Sequence, residues 1–125
     1  MDSAIMDGFT AITRIGGYII LFSILIQLMR LLPFRGSLPF QVLLSSLEVT
    51  NGAALTGNLP LSFPARFSLC MGMVSFGGWC SVAQTRSMIQ GSGLSIFPYI
   101  IQKLATAMVT SLLSFLMLSF CLSKT

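Results

Sequence analysis

Apolar residues fall into four blocks along the chain, separated by short stretches rich in Pro, Gly and Arg. The first block, residues 15–32, predicts a spanning helix of roughly 18 residues and about 27 Å, close to the thickness of a bilayer core. The last block, residues 99–122, has roughly 24 residues and is long enough to span with tilt. A signal peptide is the alternative for the first block, but Asp2 and Asp7 precede it and no small-residue cleavage site follows.

The second block, residues 38–61, carries a carboxylate in its middle. Leu38 to Leu47 would rise about 15 Å as a helix, which is half of the roughly 30 Å hydrocarbon core. Glu48, Thr50, Asn51 and Gly52 follow at that depth. Polar groups there must lie inside protein or line a water-filled cavity, and an ionisable residue so placed is a candidate functional site. The pattern predicts the tip of a re-entrant hairpin, or the break in a discontinuous helix, centred on Glu48 to Gly52.

The third block, residues 66–89, is interrupted by Gly77 and Gly78. Each half is again about 15 Å of helix, and a pair of glycines costs about 2 kcal/mol of helix propensity relative to alanine. The pattern predicts a second broken helix, with close packing through small residues as the alternative. Gln84, in the second half, is expected to face protein or water.

Composition agrees with a membrane environment. The chain is 54% hydrophobic and 8% charged, against about 25% charged residues in soluble domains. Seven basic residues against three acidic ones give a net charge of +4, and the basic residues are scattered around the apolar blocks. This pattern is typical of contact with lipid headgroups and excludes a nucleic-acid surface. Arg30 and Arg35 favour a cytoplasmic first loop. Lys103 lies about one turn inside the last block, where it either snorkels to the interface or has a specific partner.

Catalytic and metal chemistry is not expected. The three cysteines form no CxxC pair, and the chain has no histidine, so neither a Ser-His-Asp arrangement nor a histidine metal site can form. No P-loop or dinucleotide fingerprint is present. We predict no enzyme activity, no catalytic residue, no metal and no cofactor, with the cysteines acting as small buried hydrophobes.

The predicted architecture is an all-α membrane protein with two spanning helices, a re-entrant hairpin and a broken helix. Residues 1–13 form a polar or amphipathic N-terminal segment, and residues 14–122 form one integral membrane domain. Broken helices present unpaired N–H or C=O groups at their ends, and secondary transporters use such ends at the interface of inverted repeats. Two broken elements in one small chain are therefore a transporter-like pattern.

Four motifs in order, IGGYIILFSILI, SLEVTNG, SFGGWCSVAQT and YIIQKLATAMV, resemble the C-terminal half of the YlbJ family of sporulation integral membrane proteins. These proteins carry a nucleoside-recognition, or gate, domain. The resemblance covers about residues 10 to 118 and implies a role in endospore formation at the cell membrane, as a multi-pass protein. It also implies that the ligand-binding positions are Glu48, Thr50, Asn51, Gly52, Ser75, Gly77, Gly78 and Gln84.

Two functions fit these expectations. In the first, the chain is a transporter-like module that binds or moves a small polar solute, and Glu48 and Asn51 contact the solute or a coupling cation. In the second, it is a structural or assembly component of the forespore membrane, and Glu48 is an interhelical hydrogen-bond partner. Family proteins contain two related halves, so this half is expected to form a homodimer or to join a second membrane subunit.

Overall fold

A computed structural model describes residues 2–124, without the side chains of Phe34 and Arg35. Arg35, expected to help orient the first loop, therefore has its side chain outside the described residues. Within this range the fold is all-helical, with six α-helices, one short 3-10 turn and no strand. The helices are α1 (Asp2–Met29), α2 (Leu38–Leu47), α3 (Val49–Gly57), α4 (Phe63–Phe76), α5 (Gly78–Met88) and α6 (Phe97–Ser123), and the 3-10 turn is Pro33–Gly36.

Two helices, α1 with 28 residues and α6 with 27, are long and apolar enough to cross a membrane. The segment predicted at 99–122 lies within α6, whereas the segment predicted at 15–32 lies in α1 only up to Met29, where that helix ends. Almost none of the apolar length of the two helices is buried within the chain. Such exposed apolar surface is expected of lipid-facing helices and not of the core helix of a water-soluble protein. The all-helical class and the two candidate spanning helices are confirmed.

The N-terminal segment does not form a separate element. Residues 2–13 are the first three turns of α1, which runs without interruption from Asp2 to Met29. Two polar residues in this stretch bond back to their own helix, since Thr10 Oγ1 donates to the Met6 carbonyl at 2.9 Å and Thr13 Oγ1 to the Phe9 carbonyl at 2.8 Å. Such bonds satisfy the hydroxyls without ending the helix.

The first predicted break is present but narrower than expected. Glu48 has an extended backbone, with φ −143° and ψ 130°, and separates α2 from α3. Thr50, Asn51 and Gly52 already belong to the first turns of α3, so the prediction that the break extends through Gly52 is wrong. The physical reason is that the Glu48 side chain binds the N–H groups of Thr50 and Asn51, which lets the helix restart at once.

The second boundary falls at the predicted glycine pair. Gly77 and Gly78 have φ of +83° and +78°, which places both in the left-handed region that favours glycine. The Gly77 N–H donates to the Met73 carbonyl at 2.9 Å and closes α4. The backbone conformation therefore favours glycine at both positions, whether or not a small residue is also needed there for close packing.

Close packing through small residues instead joins α4 to α6, which run antiparallel. A Cβ on Gly72 would lie 3.1 Å from Ser111 Cβ and 3.3 Å from the Ala107 carbonyl oxygen. Thr110 Oγ1 donates to Ser75 Oγ at 3.2 Å. Small residues with one interhelical hydrogen bond are typical of helix packing in membranes, where hydrophobic burial supplies no driving force.

The α2–α3 hairpin is tightest at Gly52. An added Cβ there would overlap the Ser45 carbonyl oxygen, and the Ser45 side chain is 1% exposed. No room remains between the two backbones, so the crossing requires glycine.

We predict that Gly52→Ala lowers the free energy of unfolding by about 1–3 kcal/mol or more, because α2 and α3 must move apart to admit a methyl group. Gly57→Ala is the matched control, since Gly57 ends the same helix and has nothing within 4 Å of an added Cβ. The measurement is thermal unfolding in detergent micelles. Equal melting temperatures for the two variants would show that α2 and α3 are not in close contact.

Candidate functional site

The Glu48 carboxylate is buried, with 2% of the residue exposed. It accepts hydrogen bonds from the Thr50 N–H at 2.9 Å, the Asn51 N–H at 2.8 Å and Asn51 Nδ2 at 2.8 Å. The first N–H groups of a helix have no intrahelical partner and carry a partial positive charge. Glu48 therefore caps α3 and places its negative charge at the favourable end of that helix.

Asn51 connects this tip to the long helix α1. Its Nδ2 donates to Ser23 Oγ at 3.0 Å as well as to Glu48. A side-chain amide has two N–H donors, so both are used. Ser23 was not among the predicted site residues. The sequence signal for it was a single hydroxyl inside the apolar run IILFSILI, which by itself does not indicate a partner.

The second helix break lies directly against the first. A Cβ on Gly78 would be 3.0 Å from the Leu47 carbonyl oxygen, 3.2 Å from the Ser46 carbonyl oxygen and 3.2 Å from Glu48 Cα. The N-terminal end of α5 thus meets the C-terminal end of α2, and their partial charges are opposite in sign. Three helix ends, from α2, α3 and α5, converge on the backbone around Glu48.

The eight predicted positions divide into two groups. Glu48, Thr50, Asn51, Gly52, Gly77 and Gly78 lie at the two breaks. At the first break, Thr50 donates its backbone N–H to Glu48 and Gly52 packs on α2. At the second break, the glycine pair sets the backbone conformation at the start of α5.

Ser75 and Gln84 have their hydrogen bonds elsewhere. Ser75 bonds to Thr110 of α6. Gln84 Nε2 lies 3.2 Å from Cys80 Sγ, which accepts its hydrogen bond one turn earlier on α5. Within residues 2–124, the donors to the Glu48 carboxylate come from Thr50 and Asn51.

The carboxylate is surrounded by electrically neutral donors. Two carboxylate oxygens have about four acceptor positions. The Thr50 and Asn51 N–H bonds occupy three of them, and the Thr50 side chain also hydrogen-bonds to the carboxylate. A solute, proton or cation that binds Glu48 would therefore replace a side-chain donor, while the backbone N–H bonds keep α3 capped.

An apolar groove leads towards the tip. It has a volume of about 570 Å³ and runs between α4 and α6, past Gly72 and Phe76, to Trp79 and Ser46. Ser46 is two residues before Glu48, so the groove ends beside the convergence of helix ends.

Comparison of the chain with protein-family models, with curated proteins and with solved structures finds no match in any of the three. The resemblance to the gate-domain family is therefore carried by the four sequence motifs alone.

We predict that Glu48→Gln destabilises the protein by about 1–3 kcal/mol, because its amide NH₂ would face N–H donors and leave some of them unsatisfied. Glu48→Asp keeps two accepting oxygens in a residue favoured at this cap position, and it should be milder. The double variant Glu48→Gln with Asn51→Asp should regain part of the loss, since the new amide can donate to the new carboxylate. Unfolding in detergent measures all three, and a Gln variant as stable as the parent would contradict the capping geometry.

Proposed function

We propose that the chain is a multi-pass membrane protein in which α1, the α4–α5 pair and α6 cross the bilayer, while the α2–α3 hairpin enters from one side and returns. Basic residues bracket each crossing element at bilayer spacing. Lys103 and Lys124 are about 32 Å apart along α6 at 1.5 Å per residue. Arg66 and Arg86 span about 30 Å if α4 and α5 are laid end to end, against a core of roughly 30 Å.

Contacts between helices sort four of the arginines into two layers, as expected for residues at the two membrane surfaces. Arg66 Nη1 donates to the Gly57 carbonyl at 2.9 Å, and Arg30 lines a cavity with Leu55 and Asn58. These two arginines lie at the C-terminal end of α3.

The other layer lies at the C-terminal end of α5. Arg14 Nη1 donates to the Ser87 carbonyl at 3.4 Å, and Arg86 is the neighbouring residue in the same helix turn. Along α1, Arg14 and Arg30 are about 24 Å apart, so the two layers enclose most of a bilayer core.

The depth of the tip is the observation that carries the functional proposal. Asn51 bonds to Ser23, which lies about 10 Å from Arg30 and about 14 Å from Arg14 along α1. The converging helix ends and the buried Glu48 are thus near the middle of the proposed membrane. Polar groups at this depth are costly, and transporters place solute and ion sites there between broken helices.

This arrangement supports a transporter-like module that binds or moves a small polar solute, with Glu48 and Asn51 contacting the solute or a coupling cation. The family resemblance adds endospore formation as the process and a half of an inverted-repeat fold as the architecture. The chain would then pair with a second copy or with a partner half, which would complete the site from the opposite side.

The alternative is a structural or assembly component of the forespore membrane. It is favoured by the hydrogen bonds of Glu48, all of which come from the first turn of α3. It is also favoured by the bridge from Asn51 to Ser23, which ties the hairpin to α1. In that function the carboxylate is a cap with no ligand.

The charge of Glu48 separates the two functions. Asp and Asn have the same shape and are comparable helix caps, so Glu48→Asp keeps both charge and cap while Glu48→Asn keeps only the cap. For a transporter-like module we expect spores of a complemented deletion strain to keep heat resistance with Asp and to lose it with Asn, at equal protein levels. Equal resistance with both variants would favour the structural function, and nucleoside uptake into vesicles is the direct second measurement.

The proposed topology predicts that the α3–α4 and α5–α6 connections lie on opposite sides of the membrane. With the three native cysteines replaced by alanine, Ser62→Cys and Ser92→Cys place single thiols in these connections. A membrane-impermeant maleimide added to sealed cells should label one and not the other, whereas both should react after permeabilisation. Labelling of both from the same side would contradict the α4–α5 crossing.

A further inference from the structure

Besides the apolar groove, a small polar cavity lies between α4 and α6, and Glu48 does not line it. It has a volume of about 180 Å³, and each residue that lines it carries a polar side-chain group. These residues are Ser75 of α4 and Tyr99, Gln102, Lys103 and Thr106 of α6. Such a cluster is unusual in an apolar helix pair and requires an explanation.

Lys103 brings a positive charge to this cavity. Its side chain is half-buried, and Nζ lies 5.9 Å from the centroid of the Tyr99 ring. The face of an aromatic ring attracts a cation, but an ammonium group has three N–H donors that one ring cannot satisfy. This position favours a specific partner over simple snorkelling.

The other side chains add hydrogen-bond donors. Ser75 Oγ accepts a hydrogen bond from Thr110, so its own proton is directed elsewhere. The Tyr99 phenol and the Gln102 amide can donate as well, whereas the Thr106 hydroxyl already donates to the Gln102 carbonyl. The chain has three acidic residues, Asp2, Asp7 and Glu48, and none of them lines the cavity. The cavity is therefore rich in donors, with a positive charge and no negative one.

We propose that this cavity binds a phosphate group, carried either by a solute or by a lipid headgroup. A water molecule occupies about 30 Å³ in the liquid, so the cavity has the size of about six waters and fits a phosphate group but not a whole nucleotide. Lys103 lies about 9 Å inside the start of α6, at the level where that helix faces Ser75 of α4. The site is independent of transport, and its test measures binding only.

The experiment uses the full chain in an uncharged detergent. Inorganic phosphate is titrated by calorimetry, with sodium chloride at equal ionic strength as the reference. Lys103→Gln should weaken binding about tenfold or more, because a charge-assisted hydrogen bond is lost. Lys124→Gln is the matched control, since Lys124 lies on the same helix and also stacks on a ring, that of Phe120 at 4.9 Å. It should bind phosphate like the parent.

A second arm identifies the source of the phosphate. In nanodiscs, native mass spectrometry compares retention of phosphatidylglycerol with that of phosphatidylcholine by the parent and by both lysine variants. Saturable binding of free phosphate that depends on Lys103 indicates a solute, and lipid retention alone that depends on Lys103 indicates a headgroup. Lys103→Arg should preserve binding, and Ser75→Ala, which keeps the charge, should weaken it several-fold. Binding of neither probe, or equal loss in the two lysine-to-glutamine variants, would overturn the proposal.

Discussion

Burial of one carboxylate beside three N–H donors is the constraint around which the interior is arranged. An ionised group removed from water must be compensated by donors or by an opposite charge. Glu48 finds its donors in the first turn of α3, and this is possible only because the chain leaves helical geometry at that single residue. The same residue thus breaks the helix and buries the charge. Because only Glu48 separates α2 from α3, the two helices lie close together and meet at Gly52.

Both helix breaks could be predicted from the sequence because their causes are local. The sequence shows a glycine pair inside an apolar run. It also shows a carboxylate at a helix length of about half a bilayer after a loop that contains prolines. Neither feature requires knowledge of the fold. The extent of the first break was not predictable in the same way. Whether Asn51 continues the break or restarts the helix depends on the direction of the Glu48 side chain, which the sequence pattern does not specify.

The contacts between distant elements could not be predicted for a different reason. The approach of Gly78 to Leu47 and the bond from Asn51 to Ser23 join segments about thirty residues apart, and such contacts follow from the packing of whole helices. For the same reason, the family resemblance implied that Ser75 binds ligand together with its neighbours in the second motif. Helix geometry instead turns it towards α6, where it meets Thr110 and Lys103.

Capping, which the structure shows, and the proposed ligand binding place opposite demands on Glu48. A cap must keep its donors, while a transporter site must exchange partners during each cycle. The two kinds of donor reconcile these demands. A proton or cation that replaces a side-chain donor leaves the backbone N–H groups of Thr50 and Asn51 on the carboxylate, so α3 stays capped.

The close approach at Gly78 makes the glycine pair a pivot between two parts of the molecule. On one side, α4 is locked to α6 through small residues. On the other, α5 packs along α1, where Arg14 holds its last turn. Rocking of one part against the other would bend the chain at Gly77 and press Gly78 on the Leu47 carbonyl, which immediately precedes Glu48. A motion of either part would therefore reach the buried charge through the backbone contacts at Gly78.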